Sequence, residues 1–348
     1  MKNFKKAGRI ALGAMALSLV AFVSEAQVGI GITVPQAKLH VHDGSVLATT
    51  PDLPAEQDPF WDPDFPYPIH YALKWFHDKS ALRSVGERTW VGTLDPQNIG
   101  KFSFATGYET FASGVASAAF GVKTLAGEMG ALANGVQAQS TGYCSFAHGE
   151  SVNANGHRSV AIGTNVGNNN FSGSFIFGDD YSSAVLTNDA AKQMKMRFAG
   201  GYKLYTNNLA TIGVQIAAGG NAWTTISDVN KKENFAPVNG EDFLQKISAM
   251  NLTSWNYKGQ DPKAFRHYGP MAQDFYAAFG KDAYGTIGND TTINQADFDG
   301  VNLIAIQALV RKMDQLNSDL RAEIASLKAQ MAVREKPSKG KRILVSKR

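Results

Sequence analysis

The chain has 348 residues, of which 18% are charged and 34 are glycine. This length suggests two or three domains, and the composition excludes an acidic disordered chain and argues against an ordinary helical enzyme. The formal net charge of +4 comes mainly from the two ends of the chain.

The first 26 residues read as a secretory signal peptide. Four Lys or Arg residues within the first nine positions precede an apolar run from Ile10 to Val23, and Ser24-Glu25-Ala26 supplies small residues at the cleavage site. A membrane anchor is the alternative, but the run is shorter than the roughly 20 residues that a helix needs to span a bilayer. We therefore expect a secreted or cell-surface protein with no transmembrane segment after signal removal. Cys144 is the only cysteine, so no intrachain disulfide can form.

Residues 27–99 combine a short strand pattern with a region rich in proline and aromatic residues. His40 and His42 share one face of the strand, which makes metal binding conceivable, but exposed strand histidines are the preferred interpretation, and no metal is expected. Residues 51–68 hold six of the twelve prolines and four aromatic residues. This composition indicates an extended polyproline-like strap that packs against a neighbouring chain, with contact to sugars as the alternative.

A seven-residue period marks residues 100–178, which form the predicted repeat domain. Alanine precedes most of the repeating glycines by two positions, and Ser140 fills one gap. Glycine at every heptad except that of Glu128 excludes a coiled coil. The glycines are Gly100, Gly107, Gly114, Gly121, Gly135, Gly142, Gly149, Gly156 and Gly163, and the alanines are Ala105, Ala112, Ala119, Ala133, Ala147, Ala154 and Ala161.

This pattern predicts short strands joined by tight turns, with two heptads in each coil, alanine pointing inward and glycine in the turns at φ > 0. The Ala-x-Gly period resembles the left-handed β-roll heads of trimeric autotransporter adhesins. Such small inward residues give one chain little core, so three chains packed side by side are expected to cover its faces. The segment 179–226 follows as a connector, in which Met194–Phe198 and Tyr202–Thr206 form a β-hairpin around Gly200-Gly201.

The segment 227–300 carries the residues with chemical potential: Ser227, Lys232 and His267. A serine hydroxyl becomes a nucleophile when a neighbouring base removes its proton, and a lysine acts as that base when its pKa is lowered toward 7. A serine that follows a scissile bond can attack the preceding carbonyl through a five-membered ring and convert the amide into an ester. The plainer interpretation of Ser227-Asp228 is a helix N-cap.

Two motifs of this segment resemble the intramolecular chaperone of phage tailspikes, a family of self-cleaving serine–lysine peptidases first described in endosialidases. The resemblance implies cleavage between Ile226 and Ser227, with Ser227 as nucleophile, Lys232 as base and His267 in support. Many members have arginine where this chain has Asn230. The motifs are Ser227-Asp228, Lys232 and Asn234-Phe235, followed by His267-Tyr268-Gly269-Pro270-Met271-Ala272-Gln273, in which Asp228, Asn234, Gly269, Pro270 and Gln273 are the expected supporting residues.

Residues 301–333 predict a coiled coil, because apolar residues alternate at steps of four and three. An amphipathic helix that folds back on the chaperone domain is the alternative. Asn317 interrupts the seam and would fix its register or oligomeric state. The basic tail 334–348 is interpreted as a solvated end. The seam consists of Ile306, Val310, Met313, Asn317, Leu320, Ile324, Leu327 and Met331.

Taken together, these patterns predict a mainly β chain with a C-terminal α+β part: a trimeric left-handed β-roll fibre, a small chaperone domain and a coiled-coil helix. The opening from Val28 to Val41, the stretch from Trp75 to Arg83 and the roll together resemble secreted tail-fibre-domain proteins. The expected function is a homotrimeric, adhesin-like fibre that cuts itself at Ser227, and the alternative is a non-cleaving adhesin or stalk whose chaperone domain remains as a trimer cap. A cell-surface or glycan ligand is conceivable, whereas no cofactor and no nucleic-acid partner are expected. A glycosidase is disfavoured, because the roll offers only Glu109, Glu128 and Glu150 as carboxylates.

Overall fold

The computed structural model describes residues 28–51, 68–88 and 90–334. The predicted signal peptide, most of the proline-rich region and all but the first residue of the basic tail lie outside these residues. The chain divides into two compact units, the first made of residues 1–202 and 217–220 and the second of residues 203–216 and 221–348.

The first unit begins with two small strand pairings. Strands β1 (Val28–Ile30) and β2 (Leu39–Val41) pair in parallel. Strands β3 (Val46–Thr49), β4 (Ile69–Phe76) and β5 (Ala81–Arg88) pair in antiparallel order, and β5 then pairs in parallel with β6, the first strand of the repeat. The meander thus leads directly into the repeat domain.

The repeat domain is a β-solenoid whose long strands pair in parallel with a shift of 14 residues, so that Ala105 lies beside Ala119 and Ala119 beside Ala133. Two heptads therefore form each coil, which confirms the predicted β-roll. Short strands build a second face, in which Leu125 pairs with Gln139 and Gln139 with Asn153. The strands are β6 (Phe104–Tyr108), β7 (Phe111–Ala112), β8 (Ala118–Val122), β9 (Leu125–Ala126), β10 (Leu132–Val136), β11 (Gln139–Ser140), β12 (Phe146–Ala154), β13 (Val160–Gly167), β14 (Phe175–Gly178), β15 (Leu186–Thr187) and β16 (Met194–Arg197).

Alanine fills the interior of the solenoid, as the sequence predicts. The methyl groups of successive coils stack on one another, and Val152, Val166 and Ile176 widen the core toward its C-terminal end. A narrow lumen filled with small side chains leaves little apolar area to bury within one chain. The fully buried alanines include Ala105, Ala112, Ala119, Ala126, Ala133, Ala147, Ala154 and Ala161.

The predicted role of glycine in the turns is only partly correct, because Gly114, Gly142 and Gly156 lie at bends without a positive φ, whereas the heptad glycines with a positive φ lie inside strands. Gly121 has a positive φ of 113°, but it lies inside β8, and a Cβ atom there would overlap the carbonyl oxygen of Gly135 on the next coil. Glycine is required because adjacent coils approach closely at this point. The left-handed turn position falls two residues later, where non-glycine residues adopt φ values between 51° and 60°, at Phe102, Glu109, Ala116, Lys123, Gln137, Cys144, Ser151, Arg158 and Asn165.

The predicted hairpin around Gly200-Gly201 does not form. Strand β16 instead continues the solenoid, because Met194 pairs in parallel with Phe175 of β14. The strand that follows, β17 (Gly201–Tyr205), pairs with β18 (Gly213–Ala217), which pairs with β19 (Thr224–Thr225). Asn207 makes the turn between β17 and β18, since its side-chain oxygen accepts hydrogen bonds from the backbone of Thr211 and Ile212, each at 3.0 Å.

The second unit continues with one small strand pair and three helices. Strands β20 (Thr253–Trp255) and β21 (His267–Gly269) are antiparallel, and the helices are α1 (Gly240–Ala249), α2 (Ala272–Phe279) and α3 (Gln295–Arg334). Helix α1 packs on α3 at the buried residues Ala305 and Ala308, beside Gly240. The ring of Phe279 on α2 lies 5.0 Å from that of Phe243 on α1.

Helix α3 has 40 residues, and the apolar side chains along most of its length are exposed. Every residue from Leu309 to Ala332 is exposed. The apolar members of the predicted seam, from Ile306 to Met331, are between 46% and 62% exposed. The alternative, an amphipathic helix that folds back onto the chaperone domain, thus holds only for the first part of α3, where Ala305 and Ala308 are buried against α1. Over the part of the chain that the structure describes, no helix has the length and apolar character needed to cross a membrane.

Candidate self-cleavage site

The bond predicted to be cut lies between a strand and a short 3₁₀ turn. Ile226 follows β19 and is half-buried, and its backbone N–H donates to the carbonyl of Gly213 at 3.5 Å. Ser227 is exposed and precedes the turn Val229–Lys231. The peptide bond between Ile226 and Ser227 thus marks the point where the chain leaves the three-stranded sheet.

Asp228, not Ser227, caps this turn. Its carboxylate accepts a hydrogen bond from the backbone N–H of Asn230 at 2.9 Å and another from the side-chain amide of Asn230 at 3.0 Å. These bonds, the backbone one first, lower the pKa of Asp228 below its usual value, and Lys231 adds to the effect. The cap leaves the Ser227 hydroxyl available for another partner.

That partner is Lys232, whose ammonium Nζ lies 2.7 Å from the Oγ of Ser227 and donates to it. The 3₁₀ turn produces the contact, because the backbone N–H of Lys232 donates to the carbonyl of Val229 and brings its side chain back toward Ser227. Both side chains are exposed. The arrangement provides the two groups of a serine–lysine dyad: a hydroxyl that can attack, and an amine that can take its proton when neutral.

Asn230 occupies the position at which many chaperone sequences have arginine. Its side-chain amide donates to Asp228, so it stabilises the cap and leaves the contact between Ser227 and Lys232 intact. The departure from the family pattern therefore does not separate the two residues of the dyad.

His267 lies on β21 and packs against aromatic rings. Its ring centroid is 4.7 Å from that of Trp255 and 5.5 Å from that of Tyr257. Its Nε2 is buried and has no hydrogen-bond partner among the described residues, and the same holds for Nε1 of Trp255. Over the described chain, His267 makes no hydrogen bond to Ser227 or Lys232, so the structure of one chain does not bring the third predicted residue into the dyad.

The remaining supporting residues lie in two separate segments, one next to the dyad in the sequence and one at the end of β21 and the start of α2. Asn234 adopts a left-handed conformation, with φ of 57°, just after the dyad. Gly269 ends β21 and Pro270 is buried beside it, whereas Gln273 lies exposed on α2.

Trp255 and Tyr257 pack around His267, and the sequence did not single them out. Trp255 pairs with His267 across β20 and β21, and the rings of Trp255 and Tyr257 lie 4.9 Å apart. The alternation of aromatic residues in Ser254-Trp255-Asn256-Tyr257 is the signal that could have identified them.

The comparison with protein families identifies this region. Residues 227–283 match the family model described as the chaperone of endosialidase, and the match begins at Ser227. No curated protein matches the chain. The second unit thus carries a chaperone-of-endosialidase domain, and the β-solenoid before it fits a tail-fibre-like protein.

Proposed function

We propose that this chain is a secreted or cell-surface homotrimeric fibre whose C-terminal domain helps the trimer to assemble and then cuts the chain between Ile226 and Ser227. The observation that carries the cleavage is the 2.7 Å hydrogen bond between Lys232 Nζ and Ser227 Oγ, at the residue where the chaperone match begins. An adhesive role for the fibre belongs to the same proposal.

The exposed seam of α3 supports assembly into a multichain coiled coil. From Ile306 to Met331 it presents apolar side chains at steps of four and three, with Asn317 as its one polar member. A long helix with an exposed apolar seam gains stability when the seams of several helices pack together. The partners that cover the seam are the α3 helices of further copies of this chain.

One column of side chains on the long-strand face of the solenoid provides a second apolar surface. In this column Phe104, Leu132 and Phe146 point outward, on the opposite side of the strands from the buried alanines. Phe175 continues the column and is 43% exposed. Monomeric proteins rarely expose a continuous apolar ladder of this kind, so contact between copies explains it best.

The cleavage chemistry is an acyl shift followed by hydrolysis. Neutral Lys232 takes the proton of Ser227 while Oγ attacks the carbonyl carbon of Ile226, and the proton then passes to the departing amide nitrogen. The C–N bond breaks, which leaves an ester on Oγ and a free α-amino group on Ser227. Water hydrolyses the ester, and the products end at Ile226 and begin at Ser227 with its hydroxyl restored.

The test is denaturing mass spectrometry of the purified mature chain. Wild type is expected to give two fragments divided at Ser227, whereas Ser227→Ala and Lys232→Ala remain whole. Lys231→Ala is the matched control, because the neighbouring lysine makes no hydrogen bond to Ser227, and it should still be cut. An intact wild-type trimer rejects the cleavage, and cutting in Ser227→Ala rejects the proposed nucleophile.

One observation favours the second candidate, a fibre that keeps its chaperone domain as a permanent trimer cap. In a single chain the dyad is exposed and His267 makes no hydrogen bond to it. His267 therefore does not orient the pair of Ser227 and Lys232 within one chain. This candidate predicts a single mass for the intact mature chain after complete assembly.

A further inference from the structure

The second face of the solenoid changes from apolar to polar along its length. The outward residues of its short strands are, in register, Phe111, Leu125, Gln139 and Asn153. The apolar ladder of the long-strand face has no such change near these coils. The polar part of the second face is therefore suited to solvent and to a soluble ligand rather than to another copy of the chain.

A groove of about 470 Å³ runs across this polar part. Gly167 is the register partner of Asn153 and has no side chain, so the column of amides is interrupted there and the groove stays open. Val185, which is 61% exposed, is the most prominent apolar residue of its wall. The groove is lined by Lys123, Gln137, Gln139, Ser151, Asn153, Val166 and Val185.

The polar groups of the groove have few partners within the described chain. Ser151 donates to the side-chain oxygen of Gln137 at 3.2 Å. The amides of Gln139 and Asn153 and the ammonium of Lys123 make no side-chain hydrogen bond or ion pair there. Each amide offers two donors and one acceptor, so two neighbouring coils present unused hydrogen-bonding groups about 4.8 Å apart.

We propose that this groove binds an extended glycan that carries carboxylate groups. The amides of Gln139 and Asn153 match the paired hydroxyls of sugar rings, since each can donate and accept at once. Lys123 is the only charged residue of the lining and pairs with a carboxylate. One cation is too few for nucleic acid, whose binding depends on many phosphate contacts.

Binding at a single groove is weak, because the lining contains no aromatic residue and its polar groups must first release water. Three grooves on one fibre raise the overall affinity by multivalency. This gain rests on the proposed homotrimer, whereas the groove itself belongs to one chain.

The test measures binding of the full mature protein to immobilised polygalacturonate, with neutral dextran as the second surface. Polygalacturonate is expected to bind more tightly than dextran. Lys123→Gln should weaken binding to polygalacturonate about tenfold, the loss expected for one charge-assisted hydrogen bond, and Gln139→Ala with Asn153→Ala should weaken binding to a similar or larger extent. The matched controls, Lys101→Gln and Gln97→Ala, change exposed residues outside the groove and should bind as wild type does.

Equal affinity for the two polysaccharides, no binding to either, or loss of binding in the controls would overturn the proposal. Native mass spectrometry of the same samples shows whether the protein is a trimer, so a failure of glycan binding can be told apart from a failure of the proposed trimeric assembly. A monomer that binds polygalacturonate through Lys123 contradicts the trimer and supports the groove, whereas a trimer that binds neither polysaccharide contradicts the groove alone.

Discussion

Arg83 occupies the place in the solenoid interior that Ala105 occupies one coil later, because the two residues are register partners across β5 and β6. The guanidinium is fully buried and donates to the Oγ of Ser103 at 2.7 Å and to the carbonyl of Ala112 at 2.8 Å. Burial lowers the pKa of Arg83 to about 10. Arg83 thus closes the N-terminal end of the alanine column and adds side-chain hydrogen bonds to the first coil.

Replacement of Arg83 by Met should reduce the free energy of unfolding by about 2–4 kcal/mol, because the four hydrogen bonds that the buried guanidinium donates are lost. Thermal unfolding at a fixed protein concentration measures the change. Lys101→Met, at an exposed position, is the control and should unfold at the same temperature as the wild type. Equal stability of both variants would show that Arg83 does not close the solenoid.

Gly135→Ala should destabilise the solenoid by at least about 3 kcal/mol, because the residue has φ of 128° and its new Cβ would overlap the carbonyl oxygen of Gly149. Gly200→Ala is the matched control, since a Cβ at Gly200 meets no atom within 4 Å. The two variants are compared by urea denaturation. A Gly135→Ala protein as stable as Gly200→Ala would contradict close approach of the coils.

Asp228 should titrate below its usual pKa of 3.8, and Asn230→Ala should raise that pKa part of the way back. The backbone N–H of residue 230, which is the larger cause, remains in the variant, and the side-chain donor is lost. Because the folded pKa is the lower one, the carboxylate stabilises the turn fully above pH 3.8 and this contribution is lost as the pH falls through the folded value.

Carboxyl ¹³C chemical shifts followed against pH measure the effect. Gln245→Ala, at an exposed site on α1, is the control and should leave the Asp228 titration unchanged. An unchanged Asp228 pKa in Asn230→Ala would mean that the side-chain hydrogen bond has no influence on the cap.

Leu320→Asp should weaken assembly of the chain, because it places a charge in the seam of α3, where copies of the helix are proposed to pack. Ser318→Asp introduces the same charge on the same helix outside the seam and should assemble normally. Analytical ultracentrifugation compares the two. Dissociation of both variants, or of neither, would argue that the seam does not join the copies.

The sequence predicted the features that depend on repetition or on short spacing. The 14-residue coil follows from Ala105 and Ala119, because a side chain that points inward must return at the same phase in each coil. The contact between Ser227 and Lys232 follows from a separation of five residues across one turn. Periods and local spacing are properties of the chain itself, so they can be read without tertiary information.

Features that depend on the neighbouring coil or strand were predicted less well. The glycine of each heptad was placed in a turn, but Gly121 is required by its approach to Gly135, a contact visible only when the coils are stacked. Strand β16 was predicted to pair with β17, but it pairs in parallel with β14 and thus belongs to the solenoid. His267 begins the second motif of the resemblance and was predicted to support the dyad, yet its ring packs on Trp255. This contact depends on the fold of the second unit.

Native mass spectrometry of the mature Ser227→Ala chain tests the central claim most directly, because removal of the nucleophile keeps the whole polypeptide together. The account predicts a single species that contains three copies of the uncut chain. A folded species that contains one copy would contradict it, since the apolar ladder from Phe104 to Phe175 and the seam from Ile306 to Met331 would then face water with no partner.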